Sequence, residues 1–147
     1  MKTLKFNFSI FMLLGVFLSA CNKSPEAIDY GNDACHFCQM TIVDKIHGAE
    51  LVTDKGKLFK FDSAECLLHY HKSLNNTQGY LFLTNHFENP EVLIPVSEAK
   101  FLISENLPSP MGAYLTAFRT DASIALIKEE KGGEVYDWES LKKHLNY

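Results

Sequence analysis

The sequence predicts a small single-domain α+β fold, on three observations. Short apolar segments with strand-like alternation are interleaved with short segments of helical spacing. Glycine-bearing turn signals, Asp54-Lys55-Gly56 and Gly132-Gly133, separate them. Of the 147 residues, about 20 at the N-terminus read as a leader, and what remains is suited to one hydrophobic core rather than two.

The leader comes first in the chain. Lys2 and Lys5 form a basic start, and Phe8 to Phe17 supply an apolar run. That run is well short of the roughly 20 residues a spanning helix needs. It closes on Leu18-Ser19-Ala20-Cys21, small residues directly before a cysteine, which resembles the lipobox of bacterial lipoproteins. Residues 1–20 are therefore expected to be a lipoprotein signal peptide, with Cys21 carrying lipid at the periplasmic face of a bacterial membrane. Residues 21–34 are polar and turn-rich and read as a lipidated tether, and residues 35–147 as the domain.

Within the domain, Thr41–Val43 and Ala49–Thr53 look extended, and Leu58–Phe61 alternates as a half-buried strand should. Asp62 or Ser63 is positioned to cap a helix over Ala64–His71, on which Cys66, Leu67 and Tyr70 share a face. Asn75–Gly79 breaks it. Tyr80–Thr84 and Val92–Val96 read as strands, the latter followed by a short Ser97–Ala99 segment. Ala113–Phe118 is strand-like, Asp121 caps a helix through Lys128, and Val135–Trp138 leads into a last helix ending near Leu145. The stretches Gly56–Asp62 and Gly133–Glu139 each run from a glycine turn through an aromatic-bearing strand to an acidic helix start, which suggests two related halves.

The chemically distinctive stretch is Cys35-His36-Phe37-Cys38-Gln39-Met40, two thiols and a thioether within six positions. Soft sulfur ligands favour a soft ion, and Cu(I) is the one that takes thiolate and thioether together. If a strand starts at Gln39, Cys38 and Met40 fall on one side of it, and Cys35 can fold back from the preceding turn. Met111 lies between Pro110 and Gly112, whose backbone constraints present it, and is a further thioether candidate. His47 is a possible auxiliary ligand. Cys66 reads as a packing thiol on its helix.

The same residues admit other uses. A Cys35–Cys38 disulfide forms readily in an oxidising compartment, giving a structural lipoprotein. Thiol–disulfide redox chemistry wants the pair at a helix start, whereas a strand is expected here. Covalent haem wants His after the second cysteine, where this chain has Gln39. A zinc site would need four ligands, such as Cys35, Cys38, Cys66 and a histidine. His69, His71, His86 and His144 read as solvated or capping residues. No constellation of base, orienting partner and pocket for hydrolase or transferase chemistry is legible, so the chain is not expected to be an enzyme.

The formal charge of the whole chain is −4, and removing a leader that carries two lysines and no acid takes it to −6. That balance offers no footprint for polyanions, and no nucleic-acid partner is expected.

The leader, Cys-x-x-Cys-x-Met, Phe59-Lys60-Phe61-Asp62-Ser63 before a helix, Pro110-Met111-Gly112 and the closing Gly132-Gly133 together resemble the NosL family, the accessory lipoproteins of nitrous-oxide reductase. The resemblance covers nearly all of the mature chain. It implies a membrane-tethered Cu(I) metallochaperone that supports assembly of the reductase's copper–sulfide centre, with that enzyme or its maturation machinery as partner. It also implies a fold of two ββα-type halves related to organomercurial lyase. On this resemblance Cys38 and Met40 match the family's Cys-Gly-Met core, Cys35 its leading cysteine and Met111 its second methionine. Gln39 replaces the usual glycine.

Overall fold

The computed structural model describes residues 24–146. The leader and Cys21 lie outside the described residues. Among those described, no helix is long and apolar enough to cross a membrane.

Two antiparallel sheets and three helices make up an α+β domain. The first sheet has the order β2-β1-β3-β4. Its strands are β1 (Ala49–Val52), β2 (Leu58–Phe61), β3 (Leu81–His86) and β4 (Asn89–Pro95). The second has the order β6-β5-β7, from β5 (Lys100–Ile103), β6 (Leu115–Phe118) and β7 (Glu134–Tyr136). Helix α1 (Ala64–Lys72) follows β2, α2 (Asp121–Lys131) follows β6, and α3 (Trp138–His144) closes the chain.

The two halves share one topology. In each, the first strand is central, its hairpin partner leads into a helix, and the helix returns an antiparallel strand to the other side of the centre. The run β1-β2-α1-β3 therefore corresponds to β5-β6-α2-β7. Phe61 and Phe118, both fully buried, end the hairpins, and Ser63 and Thr120 two residues later cap the helices. The duplication expected from sequence is present in the topology, but in another register: Gly56–Asp62 corresponds to the end of β6, not to Gly133–Glu139. Glycine turns and acidic helix starts recur too generally to fix the alignment, whereas the buried aromatic two residues before the cap does fix it.

One core joins the halves. Leu51, Phe61, Leu67 and Leu68 pack with Phe101, Leu115, Trp138 and Leu141. The other face of the second sheet buries Leu102 and Phe118 against Ile124 of α2. Strand β5 was not anticipated, because burial on both faces gives Phe101-Leu102-Ile103 no alternation to read. The cap of α2 is Thr120 rather than Asp121, and the last strand ends at Tyr136 so that Asp137 can cap α3 through a reciprocal box with Ser140.

Thr41–Val43 is not a strand: a single bridge between Ala34 and Thr41 stands in its place. The polar stretch before the cysteines is laid against the domain from Glu26 onward. Ile28 is buried in the core, Lys60 Nζ donates to the Ala27 carbonyl at 3.0 Å, and Tyr30 Oη donates to Asn85 Oδ1 at 2.9 Å.

Candidate metal centre

Residues 35–40 form a closed loop. The Cys35 N–H donates to the Met40 carbonyl at 2.8 Å, and the Gln39 N–H donates back to the Cys35 carbonyl at 3.0 Å. Gln39 closes the turn at φ +65°, in the left-handed region that favours glycine. Its side-chain amide compensates in part by donating to the His36 carbonyl at 2.8 Å.

The two residues between the thiols fasten the loop to the first half. The His36 N–H donates to Lys60 of β2 at 2.8 Å, and its ring sits 4.5 Å from Phe59 and 5.1 Å from Tyr70 between centroids. Phe37 stacks on His69 of α1 at 4.9 Å, with 11° between the ring planes. Aromatic contacts on both residues thus fix the loop against α1.

That docking brings Cys35 and Cys38 to Cys66, near the N-terminus of α1. The three Sγ atoms lie within 4.8 Å of one another. Cys35 and Cys66 are buried and Cys38 is half-buried, so the cluster is reached from the Cys38 side. The Cys35 thiol is held well below the ordinary range by a hydrogen bond from the Cys66 thiol, against the cost of burial. The backbone N–H groups of Asp62, Cys38 and Phe37 add to this. Cys66, as donor of that bond and deeply buried, is pushed up. Burial also raises Cys38, and the Cys35 sulfur beside it adds to the rise. One thiolate is therefore favoured before any ion arrives, and a metal ligand must be a thiolate. Asp62 is raised too, by burial first and then by the Cys35 charge. The centre has a negative field that a cation relieves.

Cys66 joins a cluster from which the sequence reading had set it aside. The signal available was a third thiol beyond the Cys-x-x-Cys pair, on the helix that directly follows the strand to which the loop is bonded.

The other candidates differ in exposure and surroundings. Met40 ends the loop and is 54% exposed, and it lies on no strand. Met111 is partly buried and packs on the core that contains Cys35 and Cys66. His47 is buried between two other groups: Nε2 lies 3.0 Å from Thr116 Oγ1, and Nδ1 lies 2.9 Å from Asp44 Oδ1. That acid–imidazole–hydroxyl line was not foreseen. Thr116 is only 1% exposed on β6, so no substrate reaches it, and the contact joins the two halves. Of the remaining histidines, His69 and His144 are exposed as expected, while His86 is buried, and each has a partner. His69 stacks on Phe37, His71 lies against Phe82 and Trp138, buried His86 pairs with Glu88 at 2.9 Å, and His144 packs on Tyr136.

A two-half α+β scaffold that holds three thiols together, two of them in a loop that ends on an exposed methionine, defines a small domain built around a sulfur centre able to hold a metal ion. The NosL family model matches residues 27–146. The chain belongs to the NosL family. Among solved structures it is similar to the copper chaperone NosL from Shewanella denitrificans, at 21% identity and a TM-score of 0.69, over 80% of this chain and 95% of that one. No curated protein matches it.

Proposed function

We propose that this chain is a Cu(I) carrier, tethered through lipidated Cys21 at the periplasmic face of the membrane, that delivers copper for assembly of the copper–sulfide centre of nitrous-oxide reductase. The observation that carries the proposal is the convergence of three thiols within 4.8 Å. Membership of the NosL family and the likeness of fold to a copper chaperone support it. The client and the tether rest on the family resemblance and on the leader.

In this reading Cys35, Cys38 and Cys66 receive the ion, since soft anionic sulfur selects Cu(I) over harder ions. Met40 and Met111 add thioethers that stay neutral at any pH. Met40, exposed at the end of the same loop, is a point at which a receiving protein adds its own ligand before the thiolates let go. A site that hands its ion on is not a catalytic site, and the chain acts as a carrier rather than an enzyme.

Thiol–disulfide exchange is the second reading, favoured by the lowered Cys35 thiol in a Cys-x-x-Cys pair. The order of the two thiols argues against it. An oxidoreductase needs its exposed sulfur activated, whereas here the activated sulfur is the buried one and the accessible Cys38 is raised.

Anaerobic competition of the reduced protein against a Cu(I) chelator tests the carrier. Cys35→Ser, Cys38→Ser and Cys66→Ser are each expected to weaken binding by at least about tenfold, with Met40→Leu losing less. Variants that all hold Cu(I) as firmly as the parent would overturn it. Disulfide exchange that survives Met40→Leu but not Cys35→Ser, with no tight copper binding, would establish the second reading instead.

A further inference from the structure

Glu65 directly precedes Cys66 on α1 and is only 4% exposed. Its Oε1 accepts from the Ser109 hydroxyl and from the Ala113 N–H, the latter at 3.1 Å. Ser109 Oγ in turn accepts from the Leu115 N–H at 3.2 Å. One buried carboxylate oxygen thus gathers both ends of the loop 109–115, and the loop carries Met111. Its other oxygen, Oε2, is buried with no protein partner.

The loop does not hold its shape cheaply. Gly112 has φ +76° and Tyr114 φ +58°, so a non-glycine residue occupies the left-handed region within four residues of the clamp. Such a backbone persists only where surrounding contacts over-determine it, and Glu65 supplies two of those contacts. A carboxylate buried at this depth is costly unless its hydrogen bonds are needed. The contacts made by Glu65 run to the segment that carries Met111, and Met111 packs on the same core cluster to which Cys35 and Cys66 belong.

We propose that Glu65 is a positioning residue for copper: by clamping loop 109–115 onto α1 beside Cys66, it holds Met111 where its thioether completes the ion's sulfur shell. This rests on the carrier reading. Glu65 touches no copper, since oxygen is a poor partner for a soft monovalent ion. It acts through Ser109 and the Ala113 N–H, as groups beyond the ligands of a metal commonly do.

The test is a double-mutant cycle on the full reduced chain, read by anaerobic competition against a Cu(I) chelator and by the sulfur count in copper X-ray absorption. Met111→Leu and Glu65→Leu are each expected to weaken Cu(I) binding by about tenfold, and each to remove one sulfur neighbour. The double variant is expected to lose no more than either single one. Glu65→Gln, whose amide oxygen accepts the same two bonds, is expected to bind as the parent does. Losses that multiply in the double variant, or a Glu65→Leu protein that melts earlier yet binds copper unchanged, would overturn the role. If Glu65→Leu does not fold, Ser109→Ala removes the hydroxyl link alone, and is expected to weaken copper binding; unchanged binding there also overturns the role. Cys38→Ser run alongside separates the two claims. Copper binding weakened in that variant but untouched by Met111→Leu removes the Glu65 role and leaves the carrier, whereas copper held as firmly as by the parent in Cys38→Ser and also in Cys35→Ser and Cys66→Ser removes the carrier itself.

Discussion

Gln39 stands at φ +65° in the loop between the thiols and Met40, at the position where the family resemblance expects glycine. A side chain in that region costs on the order of 1 kcal/mol, offset in part by the Gln39 amide bond to His36. Gln39→Gly is therefore expected to raise stability by up to about 1 kcal/mol in urea melting while leaving copper affinity within twofold. A drop in stability would mean that the amide bond outweighs the strain. Cys66 makes the complementary point at the same scale. Its spacing on a helix face showed that it is inward-facing, but no pattern along the chain could show what lies opposite. That depended on His36 and Phe37 docking the loop through contacts with Phe59, Tyr70 and His69, and aromatic docking between separated segments leaves no periodic trace.

At the scale of elements, what could be read was what repeats or punctuates. The hairpin β1–β2, helix α1 and helix α2 follow from alternation, turn residues and caps, and all three are present. Strand β5 escaped because both its faces are covered, and the presumed strand at Thr41–Val43 gave way to a loop closed by Cys35–Met40 bonding. Gly133 shows an element boundary set by close approach. At φ +102° it lies against β5, and a Cβ there would sit 2.2 Å from the Ile103 carbonyl oxygen. Gly133→Ala is expected to destabilise the fold by at least about 2 kcal/mol, seen as a lower urea midpoint, because backbone must shift and the φ is unfavourable. A Gly31→Ala variant has a similarly unfavourable φ but open space around the new Cβ, so it is expected to cost less. Equal losses in the two would mean that conformation alone, and not crowding, decides.

At the scale of the whole molecule, the two halves are stitched by a few polar links. The Phe87 N–H donates to Ala117 of β6 at 2.9 Å. Glu88, in the turn between β3 and β4, accepts from the backbone N–H groups of Arg119 and Thr120 at 3.0 and 2.9 Å, and so covers the start of α2. Against the cost of burial, the Thr120 N–H, the His86 ring and the Arg119 N–H hold the Glu88 carboxyl down at about 2. A carboxyl depressed in the folded state stabilises the fold above its unfolded pKa, and that contribution is lost as pH falls toward the folded value. Because Glu88 is solvent-exposed and its charge is screened, Glu88→Gln is expected to cost no more than about 1 kcal/mol at pH 7, with the gap to the parent closing between about pH 5 and 2. A gap that stays constant across that range would show that Glu88 carries no linked proton. The duplicated topology was foreseen only as a pattern of turns and helix starts. Its true register rests on Phe61 and Phe118, whose equivalence appears once both are seen buried at the ends of matching hairpins.

Copper X-ray absorption on the reduced, Cu(I)-loaded protein tests most directly whether the three thiols act together on one ion. A first shell made only of sulfur, with at least three neighbours in the parent and one fewer in Cys66→Ser, is the expected result. A shell of nitrogen or oxygen with a single sulfur, unchanged by Cys66→Ser, would contradict it.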